Sequence, residues 1–433
     1  MITTPRGTRV DTETVRRAAE QFMDGRMPLA RRMDAYYDGR SAVTFRRKPY
    51  GAPNNRLAHP FARYIVTMAA GYLLGSPVRY YDGGQDGQAV GLSALVDAYR
   101  AANADAVDNE LAEQASLYGV GVELLYLDER ARVRMAALDP GSAFVVYDDS
   151  AEHRPVMGVQ LRRADRLGYG YGGGYQATVR TASEEFEMVG PSIEELRRAG
   201  EGRPHYFAGV PIVEYWNNAR EKGDVEPVVS LIDAYDALQS DRINDKQQFA
   251  ESLLVFTGVT GFAPSDEAGD TRSIGRRLRE DQAIALPDRD ARVEWLTKRL
   301  NEADSQVLAD SVRKDLHRLA MVPDMSDESF AGNVSGVAMK YKLMGLEQLT
   351  RVKERWFREG LRQRMRLAAG VLALEGGPGF DPERAQIEFG RSLPVNLAEE
   401  AAALASLRGL VPDEMLLGQV SFVDNARASR RAR

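Results

Sequence analysis

The hydrophobic period changes twice along this 433-residue chain, and that change constrains the fold more than any other feature. Up to about Gly119 the apolar residues recur at helical spacing. From Val120 they alternate, through "VGVELLYLDERARVRMAAL", "SAFVVYDD", "PVMGVQLRRA", "YQATVRTA" and "EEFEMVG". Alternation is the mark of antiparallel strands joined by polar turns. After "NNAREKGDVEP" the helical spacing returns. Helices and strands therefore come in separate runs, which predicts an α+β fold.

Within the helical runs, Thr12–Asp38 is expected to be helix, anchored by Phe22, Met23, Tyr36 and Tyr37. "RRKPYGAPNNRL" (Arg46–Leu57) carries two prolines, a glycine and paired asparagines and reads as irregular. Phe61, Ile65, Met68, Ala69 and Tyr72 mark a helix that stops at Gly75-Ser76-Pro77, before a short strand. Gly91–Gly119 reads as one or two more helices. "GYGYGGGY" (Gly168–Tyr175) is a hairpin tip, because a nucleotide loop needs a following helix and here a strand follows.

Further on, Asp224 is expected to cap, and Pro227 to sit in the first turn of, a helix reaching about Phe256, roughly 43 Å long. A segment with strand-like ends and a polar, basic middle comes next. A second helix follows over Asn301–Ala320, with Leu308, Val312, Leu316 and Leu319 on one stripe. A third runs from Gly336 to about Leu374, "AQIEFGRSLP" reads as a strand, and the C-terminal stretch as a small helical pair. The length suggests two to four domains.

Composition removes several chemistries. There is no cysteine, so thiolate zinc sites, disulfides and thiol nucleophiles are excluded. The four histidines, His59, His153, His205 and His317, show no metal-ligand spacing. No G-x-S-x-G elbow is present. The N-terminal residues lack an apolar core, so no signal peptide is expected, and no run of about 18 apolar residues predicts a membrane span. The expected place of synthesis is the cytoplasm. The formal charge of −6, from 57 basic and 63 acidic residues, argues against a protein that grips DNA by its phosphates. The basic cluster at the C-terminus, Arg427, Arg430, Arg431 and Arg433, reads as a solvated tail.

"DMSDESFAGNVSGVAMKYKL" (Asp324–Leu343) is the stretch that most invites a functional reading. A phosphate loop needs G-x-x-x-x-G-K-[ST] after a strand. Here Gly332 and Gly336 are too close, Val337 stands where the lysine belongs, and a helix precedes. A nuclease core needs an acid-x-Lys step, and Ser329 and Phe330 follow Glu328 instead. No glycine takes the sixth position of a calcium loop. What remains is a joint between two helices, with glycines that allow it to change shape and a helix start that points free N–H groups outward.

Four segments resemble the portal (head-to-tail connector) proteins of tailed double-stranded DNA bacteriophages, of the siphophage type. They are Tyr36–Tyr81, Val210–Gly258, Val322–Leu349 and, more weakly, "SLPVNLAEEAAALASLRGLVPDEMLL", in the family's order. The resemblance implies a portal fold with a mixed helix and antiparallel-strand wing, long stem helices, a small clip and a short helical crown. Residues 1–225 and 337–390 correspond to the wing, 226–254 and 301–320 to stem helices, 255–300 to the clip, 321–336 to the tunnel loop and 391–433 to the crown. It further implies a homo-oligomeric ring of about twelve subunits at one capsid vertex of the virion, through which DNA is packaged and ejected. The implied partners are the terminase large subunit, head-completion (adaptor) proteins, and major capsid and scaffolding proteins, with DNA passing without sequence specificity and no membrane. No cofactor, metal or catalytic residue is implied.

For the DNA-facing tunnel loop the resemblance designates Asp324, Asp327, Glu328, Phe330, Gly332, Asn333 and Ser335. For the tunnel-lining stem helix it designates Asp233, Asp236, Asp241 and Asp245. Acids along a conduit would keep phosphates from sticking, although the same aspartates suit a solvated outer face. The competing reading is an enzyme acting on DNA or nucleotides.

Overall fold

The computed structural model describes residues 1–50, 52–82, 90–164, 173–249, 253–257, 292–296, 302–326, 336–377, 380–391 and 405–406. The chain divides into two compact units, residues 1–40, 60–230 and 314–433, and residues 41–59 and 231–313.

The first unit opens with β1 (Ile2–Thr4), α1 (Thr12–Asp24) and α2 (Arg26–Tyr37). The stretch Thr12–Asp38, expected to be helical, is two helices. Pro28 lies in the first turn of α2, where it lacks an N–H and its ring would strike the carbonyl of Asp24 in a continuous helix. Asp11 caps α1, accepting from the Thr14 amide at 2.9 Å. Then come α3 (Phe61–Leu73), β2 (Arg79–Asp82), α4 (Val90–Ala101) and α5 (Ala104–Tyr118).

The alternating region forms β3 (Val120–Leu127), β4 (Val133–Leu138), β5 (Ala143–Asp148), β6 (Pro155–Ala164), β7 (Gly174–Arg180), β8 (Glu184–Gly190), β9 (Arg197–Pro204) and β10 (Ile212–Trp216). Six strands order as β1-β5-β6-β7-β8-β9, antiparallel except for the parallel β1–β5 pair. Alternation places Val159, Leu161, Ala177, Val179, Phe186 and Met188 on one face. Against that face α1 packs Val15, Ala19 and Phe22, whose ring stacks on Phe144 at 4.5 Å.

The three-stranded sheet β10-β3-β4 is covered on both sides. Val120, Val122 and Ile212 meet Ala143 and Val145 of β5, while Leu125, Val213 and Tyr215 face the helical core. A side chain at Gly158 would come within 2.8 Å of Ile212, so glycine lets the two sheets approach.

Helix α6 (Val229–Phe249) follows a short 3-10 turn, Glu226–Val228. It ends earlier than expected. The apolar run read as its last turns is β11 (Leu253–Thr257), paired antiparallel with β12 (Arg292–Leu296) from Leu253↔Leu296 to Thr257↔Arg292. Short apolar runs fit either period, and the partner strand decides. Asp224 does not cap α6. Its carboxylate is buried, accepting from Ser116 Oγ (2.5 Å), Asn217 Nδ2 (3.0 Å) and the Lys353 ammonium.

Helix α7 spans Glu302–Ala320. Helices α8 (Gly336–Lys342) and α9 (Met344–Leu374) divide at Leu343, although Leu343 N still bonds Met339 O and Glu347 N bonds Leu343 O. The last strand, β13 (Ala385–Glu388), pairs with β2.

Helix α9 is the axis of the first unit. Its buried face carries Leu346, Phe357, Leu361, Met365, Ala368 and Val371, and also Lys353 and Arg364. Arg364, fully buried, reaches Glu123 through Nε (2.9 Å) and Asp108 through Nη2 (2.6 Å). The hydroxyl of Tyr215 donates to the same Glu123 at 2.7 Å. Burial pushes the Asp108 carboxyl up to about 6 despite the guanidinium beside it. Gly360 lets α9 lie against β10, since a side chain there would meet the Tyr215 ring at 2.5 Å.

Candidate functional site

Two places hold the residues designated from the sequence. The first is the root of the segment after α7. Helix α7 ends in a paired-bond cap: Met321 N bonds Arg318 O (3.3 Å) and Val322 N bonds His317 O (3.1 Å). Met321 takes the left-handed position usually held by glycine, with φ of 57°. Val322, just beyond, is buried. The following residues are held by an aromatic cluster from α3. Tyr64 Oη donates to Pro323 O (2.6 Å) and accepts from Met325 N (3.2 Å). The His317 ring stands edge-on to Tyr64 and Phe61, at 5.5 and 6.1 Å between centroids. Its Nδ1 lies 3.3 Å from Val322 O, and its Nε2 is 3.8 Å from Asp324 Oδ2.

Asp324 is therefore part of a pinned root. Its Oδ1 accepts from the Ser326 amide (3.0 Å) and hydroxyl (2.6 Å). The other loop residues designated above, Asp327, Glu328, Phe330, Gly332, Asn333 and Ser335, lie outside the described residues. On the far side, α8 presents an exposed Tyr341.

The second place is α6, in the other unit. Asp236, Ser240 and Asn244 recur at four-residue intervals and are all buried. Asp236 Oδ1 accepts from His59 N (3.0 Å), Ser240 Oγ from Leu57 N (2.9 Å), and Asn244 Oδ1 from Asn55 N (2.6 Å). The rungs match because four helical residues rise about 6 Å and two extended residues about 6.6 Å. One stripe of helix side chains thus serves an extended segment as a sheet edge would.

This segment, residues 41–59, binds α6 further along as well. Asp236 also accepts from Ser41 Oγ (2.5 Å) and meets His59 Nδ1 (2.7 Å). Asp233 accepts from Ala42 N (3.2 Å), and Asp241 pairs with Arg46 (2.9 Å) and Lys48 (3.0 Å). Asp236 is thus enclosed by its own chain, Asp233 and Asp241 are engaged by it, and Asp245 stays partly exposed. Sequence reasoning weighed a tunnel or a solvated face for these acids and missed this third setting. The polar four-residue stripe, beside an irregular basic segment, was the available signal.

The four histidines sit in separate surroundings: His59 on Asp236, His153 against Asp148 O, His205 against Thr181 O, and His317 at the loop root. Among the described residues no cluster of three His, Asp or Glu could hold a metal, and no helix is long and apolar enough to cross a membrane.

Comparison with known proteins bears on the chain as a whole. The portal protein of Bacillus phage SPP1 is 21% identical over 396 residues, spanning 86% of this chain and 74% of that one. The portal protein of Clostridium phage phiCD119 is 22% identical over 231 residues, 52% of this chain and 48% of its own length. The family model for "Phage portal protein, SPP1 Gp6-like" matches from residue 23 to residue 432. Mixed sheets and long helices in an α+β arrangement are consistent with that match, and the chain belongs to the SPP1 Gp6-like family of phage portal proteins.

Proposed function

We propose that this chain assembles into a ring of about twelve copies at one vertex of a phage capsid, as the conduit through which DNA enters and leaves. The observation that carries this reading is the family match over nearly the whole chain. In this reading the protein is structural, not catalytic. The ring docks the terminase motor while DNA enters, then the head-completion proteins, and works within the virion beside capsid and scaffolding proteins.

Helices α6 and α7 suit the stem. The β11–β12 pair supports residues 255–300 as the clip, since it brings the two ends of that stretch together. The pinned root at Pro323–Ser326 supports residues 321–336 as a loop held at its base. Asp245 and the exposed half of Asp241 are the acids left to face a tunnel. Residues 391–433 are the crown in this reading.

Native mass measurement and negative-stain imaging test it. Twelve copies of 47.9 kDa weigh about 575 kDa, in a ring with a central hole. A chain that stays monomeric at all concentrations, or rings that retain nuclease or ATPase activity through rigorous purification, would overturn it.

A further inference from the structure

The segment of residues 41–59 carries two large aromatic side chains, Phe45 and Tyr50, and is tied down at several of its described residues. Its inner side is tied to α6 by the bonds described above. The segment is also braced across itself, Arg56 Nη1 donating to Thr44 O (3.0 Å) and Asn54 Nδ2 to Arg46 O (3.2 Å). On the outer side Phe45 is 71% exposed and Tyr50 wholly so, and Arg47 and Arg56 are exposed beside them. Exposed aromatic and arginine side chains are the material of interface hot spots, and pre-organisation lowers the entropy lost on docking.

A surface of the opposite character runs along α5 in the first unit. Two cavities of about 430 and 420 Å³ share Glu110 and Glu113. One extends to Asp105 and Pro77, the other to Asp34, Tyr37 and Asp139. Among the described residues no lysine or arginine forms an ion pair with Asp34, Asp105, Glu110, Glu113 or Asp139. Burial raises the Asp34 and Glu113 carboxyls above their usual range, and Glu110 adds like-charge repulsion at Glu113. These grooves combine apolar walls with acids that, among the described residues, form no ion pair, although Arg40 lies near Asp34 and Arg63 lies over Tyr37 at the rim.

We propose that the Phe45–Tyr50 knuckle of one copy docks into the acidic double groove on α5 of a second copy. The proposal rests on the ring reading and names its subunit contact. Every copy carries both surfaces, and they differ, so the contact is heterologous and closes a ring when its rotation permits. Arg47 and Arg56 supply the charge that Glu110 and Glu113 lack, and the two aromatic rings enter the cavities.

The full-length chain tests this by native mass spectrometry and sedimentation. Phe45→Ser/Tyr50→Ser, Arg47→Glu/Arg56→Glu and Glu110→Lys/Glu113→Lys should each shift the mass from the ring to the 47.9 kDa subunit. The Phe45→Ser/Tyr50→Ser variant should melt as wild type, because both side chains are exposed, and it is the control that separates docking from folding. Combining the two charge reversals in one chain should restore rings. Rings at wild-type yield from all three double variants would overturn this interface and leave the ring reading intact. So would failure of the combined chain to reassemble although it melts normally. Wild-type chain that never forms rings defeats both. Normal rings that lose affinity only for double-stranded DNA when Phe45 and Tyr50 are replaced would assign the knuckle to nucleic acid and overturn the proposal.

Discussion

Helix α9 buries cations, whereas helix α6 buries an anion, and each solution does a different job. On α9, Lys353 and Arg364 lie about three turns apart on an otherwise apolar stripe. They end on Asp224 and on the Glu123–Asp108 pair. An apolar stripe alone would pack nearly as well one turn out of register, but these cations meet carboxylates in one register only. On α6, Asp236 is satisfied by a backbone N–H, a hydroxyl and an imidazole. No partner helix is being aligned there, and what is fixed is a segment with little regular structure of its own. Buried cations set register between elements on α9, while on α6 a ladder of side-chain acceptors, flanked by the Asp241 pairs with Arg46 and Lys48, holds a backbone in place.

The strongest way to break this contrast is Arg364→Met. It leaves Glu123 and Asp108 buried without their cation, a loss of about 3–5 kcal/mol. Chemical denaturation should show the whole first unit destabilised. A loss under 1 kcal/mol would mean the network is not what holds α9.

The next effect depends on pH. Asp108 is raised from the usual carboxylate range to about 6, chiefly by burial. The folded state therefore binds its proton more tightly than the unfolded state. This contribution is fully present below about pH 4, declines as pH rises, and is gone above about 6, a swing of roughly 3 kcal/mol. The stability of wild type minus that of Asp108→Asn should fall between pH 4 and 6 and level off above. A flat difference across that window would show that Asp108 does not titrate there.

Asp236→Ala should cost about 2 kcal/mol, since it strips acceptors from a half-buried amide and a buried hydroxyl. The loss should stay local. Hydrogen exchange should accelerate at Leu57 and His59 while α9 amides keep their protection. Acceleration throughout α9 would erase the distinction between the two helices.

The smallest effect is expected where neutral bonds hold the loop root. Tyr64→Phe removes one donated and one accepted bond, about 1 kcal/mol. The Met325 amide should exchange faster, with α9 amides keeping their protection. An unchanged Met325 amide would sharpen the contrast by showing that the His317 contacts suffice at the root.

The sequence made these features visible unevenly. Strands β3 to β8 follow alternating apolar residues and were legible. Strand β9, "RRAGEGRP", has no such pattern and pairs because β8 offers an unsatisfied edge. Strand β1 is three residues long and depends on its parallel partner β5. The break between α1 and α2 falls at Gly25 and Pro28, residues that mark a helix end and a helix start, within a stretch read only as helical. The end of α6 was not, because Leu253–Thr257 suits either period until β12 is known. Lys353 and Arg364 stand at core positions of a helical stripe, which marks them as paired, though their partners come from distant elements. At the candidate site the acids of α6 were found, while their partners among residues 41–59 required the fold. Tyr64 escaped notice because nothing in its local sequence links it to Pro323, and His317 was read only as a histidine without metal-ligand spacing, since the cap that folds Asp324 back towards it required the fold.

The ladder on α6 also divides the mutational burden unequally. Its three helix side chains grip main-chain amides at residues 55, 57 and 59, and an amide is common to every residue but proline. The information that places this segment is written mostly in the helix, at 236, 240 and 244. Leu57 can drift to other residues while its rung persists, whereas a change at Ser240 removes the rung. Lineages of such a chain can therefore remodel the exposed side of the segment, and with it the surface offered to a partner, without redesigning its attachment.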